Sequence, residues 1–183
     1  MSSWLAAATP TPEIAIERWR QNPHLPRRLT SGITFDIVLA DQRIVELAYE
    51  ILRRYQQQLG PAVAFANLGS AAVFVPRGTA VRWNALMAAS HWPERMRRPA
   101  CLGQGHAIRV PAPSPPPFPV VARWLEAPGD CLSIGRGPLL TSPAPLSRCL
   151  AEARSVLMPN NERTPMRRAL CAVRSALRTP QRT

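Results

Sequence analysis

The sequence predicts an α/β (α+β) domain, a mixed sheet with flanking helices, followed by a basic tail. Three observations predict it. Residues 33–39 alternate Ile33, Phe35, Ile37 and Leu39 with Thr34, Asp36 and Val38, the two-residue period of a strand with one strongly apolar face. Residues 42–58 repeat apolar side chains at helical spacing, placing Ile44, Leu47, Ala48, Ile51, Leu52 and Tyr55 on one face. Two short apolar runs, Ala62 to Ala66 and Ala71 to Val75, lie either side of Asn67-Leu68-Gly69-Ser70, as hairpin arms flank their turn.

The remaining elements follow in order. Thr11-Pro12 is a helix start, a capping hydroxyl followed by proline at the first helical position. Ile14, Ile16 and Trp19 carry that helix to about Gln21, and Asn22-Pro23 stops it. Arg27-Arg28 falls in a loop before the 33–39 strand, and Gly60-Pro61 ends the 42–58 helix. Pro76-Arg77-Gly78 makes a turn, Val81 to Ala89 a short helix, and residues 91–99 a basic loop. Gly103 and Gly105 precede a strand from Ala107 to Val110. Six prolines between Pro111 and Pro119 then stiffen a loop before a last strand over 120–125. Little order is expected from there to 166–178, where Leu170, Val173 and Leu177 share one face of a short amphipathic helix flanked by Arg167, Arg168, Arg174 and Arg178. The chain therefore divides into a domain over 1–150 and a basic, partly disordered tail over 151–183.

Composition narrows the function. The chain has 183 residues and a net charge of +12, and all 23 of its basic residues are arginine. Residues 1–150 hold 16 arginines against 9 acids and residues 151–183 hold 7 against 2, so the excess is densest in the tail. Such a surface favours polyanions, with nucleic acid ahead of anionic membrane. Cys101, Cys131, Cys149 and Cys171 form no C-x-x-C pair and suit neither a zinc site nor a disulfide framework, which points to reduced thiols in the cytoplasm. The first residues make a poor signal peptide, and no apolar run approaches the ~20 residues of a membrane span.

Asp41 closes the 33–41 strand where a helix begins, a position that suits a metal ligand and a helix N-cap equally. Ser70, in the hairpin turn, and His106, beside Gly105, are candidate phosphate contacts. His91 adjoins the basic loop, and His24 lies between Pro23 and Leu25. Trp92 with Arg95, Arg97 and Arg98 combines stacking and cationic groups as single-strand binding surfaces do. The 166–178 helix suits nucleic acid, a membrane surface or a protein partner's groove. Trp19, Trp83 and Trp124 belong to the core.

Three stretches carry a family resemblance. Residues 8–23, from Ala8-Thr9-Pro10 through Trp19 to Asn22-Pro23, are similar to an "ATxDPxxIxxWW…P" helix. Thr30-Ser31-Gly32 and the strand after it resemble an "atG…vlDvD" stretch. Gly103-Gln104-Gly105 running into Val110-Pro-Ala-Pro-Ser114 and then Arg123-Trp124 resembles "GdGGyvvaPPS…W". Together they resemble, over about residues 4–150, the N-terminal catalytic domain of the bifunctional DNA primase-polymerases of the archaeo-eukaryotic primase superfamily. The opening segment of that family, with its Gly-Trp and Lys-x-Pro, has no counterpart before Trp4, so a truncated chain or a late assigned start is expected.

The resemblance implies primer synthesis by carboxylates that converge on Mg²⁺ or Mn²⁺. It also places each missing group. The family's Asp-x-Asp corresponds to Leu39-Ala40-Asp41, its Ser-x-His to Ser70-Ala71-Ala72, and its third aspartate to a stretch, Arg97 to Leu102, that holds no acid. One carboxylate does not hold two metal ions. The expectation is a catalytically degenerate member, with Asp41 a remnant, no metal site and no cofactor, binding nucleic acid or nucleotide through its arginines. Two alternatives stand beside it: an active nucleotidyltransferase drawing ligands from Asp36 or Glu94, and an interaction protein docking through the tail helix.

Overall fold

The computed structural model describes residues 3–23, 25–93, 96–113, 122–128 and 139–158. Along the chain run α1 (Ser3–Ala6), α2 (Pro12–Gln21), β1 (Arg27–Thr30), β2 (Phe35–Asp41), α3 (Gln42–Arg54), β3 (Ala62–Phe65), β4 (Ser70–Pro76), α4 (Thr79–Ala89), β5 (Ala100–Leu102), β6 (Ala107–Val110), β7 (Ala122–Glu126) and α5 (Pro143–Leu157). Five strands form one sheet in the order β5-β2-β4-β3-β7, and β1 pairs with β6 as a separate ribbon. The α/β class with flanking helices is what the structure shows. Every pairing among the described residues is antiparallel, so the sheet is not mixed in strand direction.

Residue alternation explains the layering. On one face Val38, Val73, Val75, Ala62 and Ala64 pack beneath α3, α4 and α5, with Trp83, Met87, Leu146 and Leu150 fully buried or nearly so. On the other, Phe35, Ile37, Val63 and Phe74 pack beneath α1, α2 and the β1–β6 ribbon, around Leu5, Trp19 and Leu29. Phe35 and Phe74 meet edge-to-face, with ring centroids 4.7 Å apart. Strand β2 is thus covered on both sides rather than having one apolar face. The exception along it is Asp36, 2% exposed on the helical face. Its carboxylate accepts the Ala80 N–H at 2.9 Å, supplying the acceptor that Gly78, the N-cap of α4, has no side chain to provide.

Several local expectations change. Thr11 precedes α2 and Pro12 opens it, but the threonine hydroxyl makes no capping bond. Arg27-Arg28 is strand rather than loop, registered opposite Val110 and Arg109. Helix α3 stops at Arg54, short of Gln58, because Gln56 turns into the left-handed region at φ 52°. There the Gln56 N–H reaches the Arg53 carbonyl and the Gln57 N–H reaches that of Leu52, a Schellman closure. Tyr55 consequently leaves the buried face and is 61% exposed, whereas Tyr49 is buried. Since a glycine adopts that φ without a Cβ penalty, Gln56→Gly is expected to stabilise the fold by about 0.5–1 kcal/mol, read as a higher urea midpoint.

The largest change is α5. Residues 143–157, expected to have little order, form the longest helix described, and it crosses the 150/151 division. Leu146, Cys149, Leu150, Ala153 and Arg154 are its buried face. The 166–178 helix lies outside the described residues, as do Cys131 and Cys171.

Candidate functional site

Register builds the site. Asp41, the last residue of β2, faces Ser70, the first of β4, and the Gln42 N–H donates to the Gly69 carbonyl at 2.9 Å. On the other side of β2, Ala100 of β5 pairs with Leu39, which brings the end of the 91–99 loop back to the same sheet end. Between them opens a cleft of about 470 Å³, within the range of small-ligand pockets. Leu39, Ile44, Leu68 and Ala100 contribute apolar walls, and Asp41, Ser70, Trp92, Arg97 and Arg98 line it as well. Five of the residues nominated from sequence therefore meet in one place.

Their roles differ from one another. Asp41 is exposed, and its Oδ1 accepts the Arg43 N–H at 2.9 Å and the Ile44 N–H at 3.4 Å. It caps α3, satisfying donors that every helix start leaves open. Asp41→Ala is expected to cost about 1 kcal/mol of stability, the usual loss for a cap, measured by urea denaturation. Arg97 is exposed and Arg98 half-buried, and neither pairs with an acid among the described residues. Ser70 is half-buried at the rim.

Trp92 corrects its expectation. It is only 5% exposed and packs in the core, so it offers the cleft little free stacking surface. His91, before it, has φ 60°, and its N–H donates to Ala88 while that of Trp92 donates to Met87. That exposed histidine is the turn residue of a second Schellman closure. His106 is exposed and does not line the cleft. Its Nδ1 lies 3.3 Å from the Gly103 carbonyl, and its own carbonyl accepts from Ser31. Arg95, His24, Glu94 and the tail residues Arg167, Arg168, Arg174 and Arg178 lie outside the described residues.

No family model, curated protein or solved structure matches this chain. The geometry must carry the reading alone. Among the described residues no three His, Cys, Asp or Glu side chains group to hold a metal ion. Asp36, one alternative ligand, is engaged at α4 and does not line the cleft. No helix among the described residues is long and apolar enough to cross a membrane.

Other nominated residues are structural. Trp19 is 1% and Trp83 2% exposed, with the Trp83 Nε1 donating to the Pro99 carbonyl at 2.8 Å. Trp124 packs partly buried against Phe74 and donates to the Ala112 carbonyl at 2.8 Å. Cys101 and Cys149 are free thiols, and burial pushes them up to about 12 and about 11. They are protonated at neutral pH and therefore poor nucleophiles.

Sequence reasoning missed the apolar walls from Leu39, Ile44 and Leu68, and it missed Arg154 of α5. That residue is 4% exposed, with its Cζ 5.5 Å from the centre of the Trp92 ring. Its helical spacing from Leu146 and Leu150 was the available signal.

Proposed function

We propose that this protein binds nucleic acid or nucleotide in the cleft between β2, β4 and the 91–99 loop, in the cytoplasm, without polymerase activity. The observation that carries the reading is the meeting of Arg97 and Arg98, which have no acidic partner among the described residues, with Ser70 around the one described carboxylate that lines the cleft, already engaged as a helix cap. Guanidinium groups without acidic partners are donors aimed at phosphate. A lone carboxylate offers a hard cation too few oxygens. Leu39, where the primase-polymerase resemblance would put the first metal-binding aspartate, is here an apolar wall. On that resemblance, the position carries no ligand for a metal ion, in keeping with the absence of polymerase activity proposed here.

Two assays test the reading. Binding to single-stranded oligothymidylate is expected to weaken steeply as salt rises, since phosphate contacts release counterions. Primer extension with Mn²⁺ and labelled nucleotide is expected to show no incorporation. Incorporation abolished by Asp41→Ala would make the protein an active nucleotidyltransferase. Absent or salt-independent binding would instead favour an interaction protein.

A further inference from the structure

Arg154 is a guanidinium taken out of water with no carboxylate to meet it among the described residues. It is 4% exposed, and its Nη2 is buried with no hydrogen-bond acceptor among the described residues. The described ion pairs join Arg20 to Glu17, Arg53 to Glu126 and Arg123 to Glu46, leaving Arg154 out. What it does have is the Trp92 ring, over which its Cζ stands at 5.5 Å. The Trp92 Nε1 is also buried without an acceptor among the described residues, and Trp92 lines the cleft while Arg154 does not. The indole thus touches both the cleft and the buried guanidinium.

A cation–π contact returns only part of what dehydrating a guanidinium costs, and an uncompensated buried charge persists where something else neutralises it. We propose that Arg154 is the buried cationic anchor of the cleft, and that the counter-charge it lacks is the oxyanion of the ligand, a phosphate group. This rests on the reading of the cleft as an anion site. It adds a distinct physical behaviour. Arg97 and Arg98 reach solvent, where salt screens them, whereas Arg154 acts through the interior, where salt screens little. Its contribution is accordingly insensitive to ionic strength.

The test uses the full chain with inorganic pyrophosphate and, separately, labelled oligothymidylate. Arg154→Met keeps the aliphatic bulk and removes the charge. With no ligand present, it is expected to be at least as stable to urea as the parent, because apolar replacement of an uncompensated ion removes a cost. Its pyrophosphate affinity is expected to fall about tenfold, by the same factor at low and high salt. Arg154→Lys, which keeps the charge, is expected to retain most of the affinity. A destabilised or unfolded Arg154→Met protein overturns the proposal by making Arg154 a structural cation. So does an unchanged affinity, or a loss that fades as salt rises. If the parent chain binds neither probe, the cleft reading itself fails; if it binds both and Arg154→Met binds equally well, only the anchor fails.

Discussion

Replacing Arg97 and Arg98 together with glutamine is expected to lower affinity for single-stranded oligothymidylate by about tenfold or more at low salt. It is also expected to flatten the slope of log affinity against log salt by roughly 1.4, the sum for two single-strand phosphate contacts. The argument is geometric. Ala100 pairs with Leu39, so the two residues that precede Pro99 are carried to the sheet end where Ser70 and Asp41 stand. Neither guanidinium has a carboxylate partner among the described residues, so their removal breaks none of the described ion pairs. Stability is expected to stay within about 0.5 kcal/mol, as for surface substitutions in general. A binding loss that comes with an unchanged salt slope would show that these arginines are not phosphate contacts. Fluorescence anisotropy across a salt series reads both quantities.

Gly60→Ala is expected to be among the most damaging alanine substitutions at the described glycines. A Cβ at Gly60 would lie 2.7 Å from the Leu140 Cα and closer still to the Thr141 backbone nitrogen. The nearest atoms are all backbone of the 140–141 segment, which leaves no flexible side chain to move away. The same point is a hydrogen-bonded knot. The Gly60 N–H donates to the Thr141 Oγ1 at 2.8 Å, and the Tyr49 hydroxyl reaches the Gly60 carbonyl at 3.0 Å and Thr141 Oγ1 at 3.1 Å. Burial raises the Tyr49 phenol above its ordinary range, so it is protonated at neutral pH and can donate. Overpacking together with the lost bonds gives an expected cost of about 3 kcal/mol or more. That is a large part of the 5–15 kcal/mol typical of a whole domain. Tyr49→Phe, which removes the hydroxyl and adds no volume, is expected to cost about 1–2 kcal/mol. Urea denaturation of both variants checks the order, and a Gly60→Ala midpoint near that of the parent would contradict the contact.

Period-based reading found the elements whose burial is one-sided or strongly patterned. Helix α3 was legible because its apolar residues repeat over three turns, and the β3–β4 hairpin because two apolar runs bracket a turn around Gly69. Strand β1 was not. It buries Leu29 alone and opens with two arginines, so its identity comes from pairing with β6. Strand β5 is three residues long, too short for any period. Helix α5 hid behind Pro143 and Pro145, which read as loop. Yet Ser142-Pro143 repeats the Thr11-Pro12 opening, and 146, 149, 150, 153 and 154 fall at helical spacing. Arginine at the last of these broke the apolar pattern and concealed both the helix and its buried charge. In the cleft, Asp41, Ser70, Trp92, Arg97 and Arg98 were named from residue type and resemblance. That they share one space depends on the 41–70 and 39–100 registers, which link residues far apart in sequence.

Helix α5 closes the face that α3 and α4 begin, and the Tyr49–Thr141 bond ties the two ends of that work across 92 positions. On a ribosome, then, Val38, Val73, Met87 and their neighbours have no finished cover until residues near Leu157 have cleared the exit tunnel. The nascent chain carries an open greasy surface for most of its synthesis, and at typical elongation rates of about 5–20 residues per second that interval lasts several seconds. Chaperone demand during translation, more than stability once released, is where a shortened α5 would first be felt.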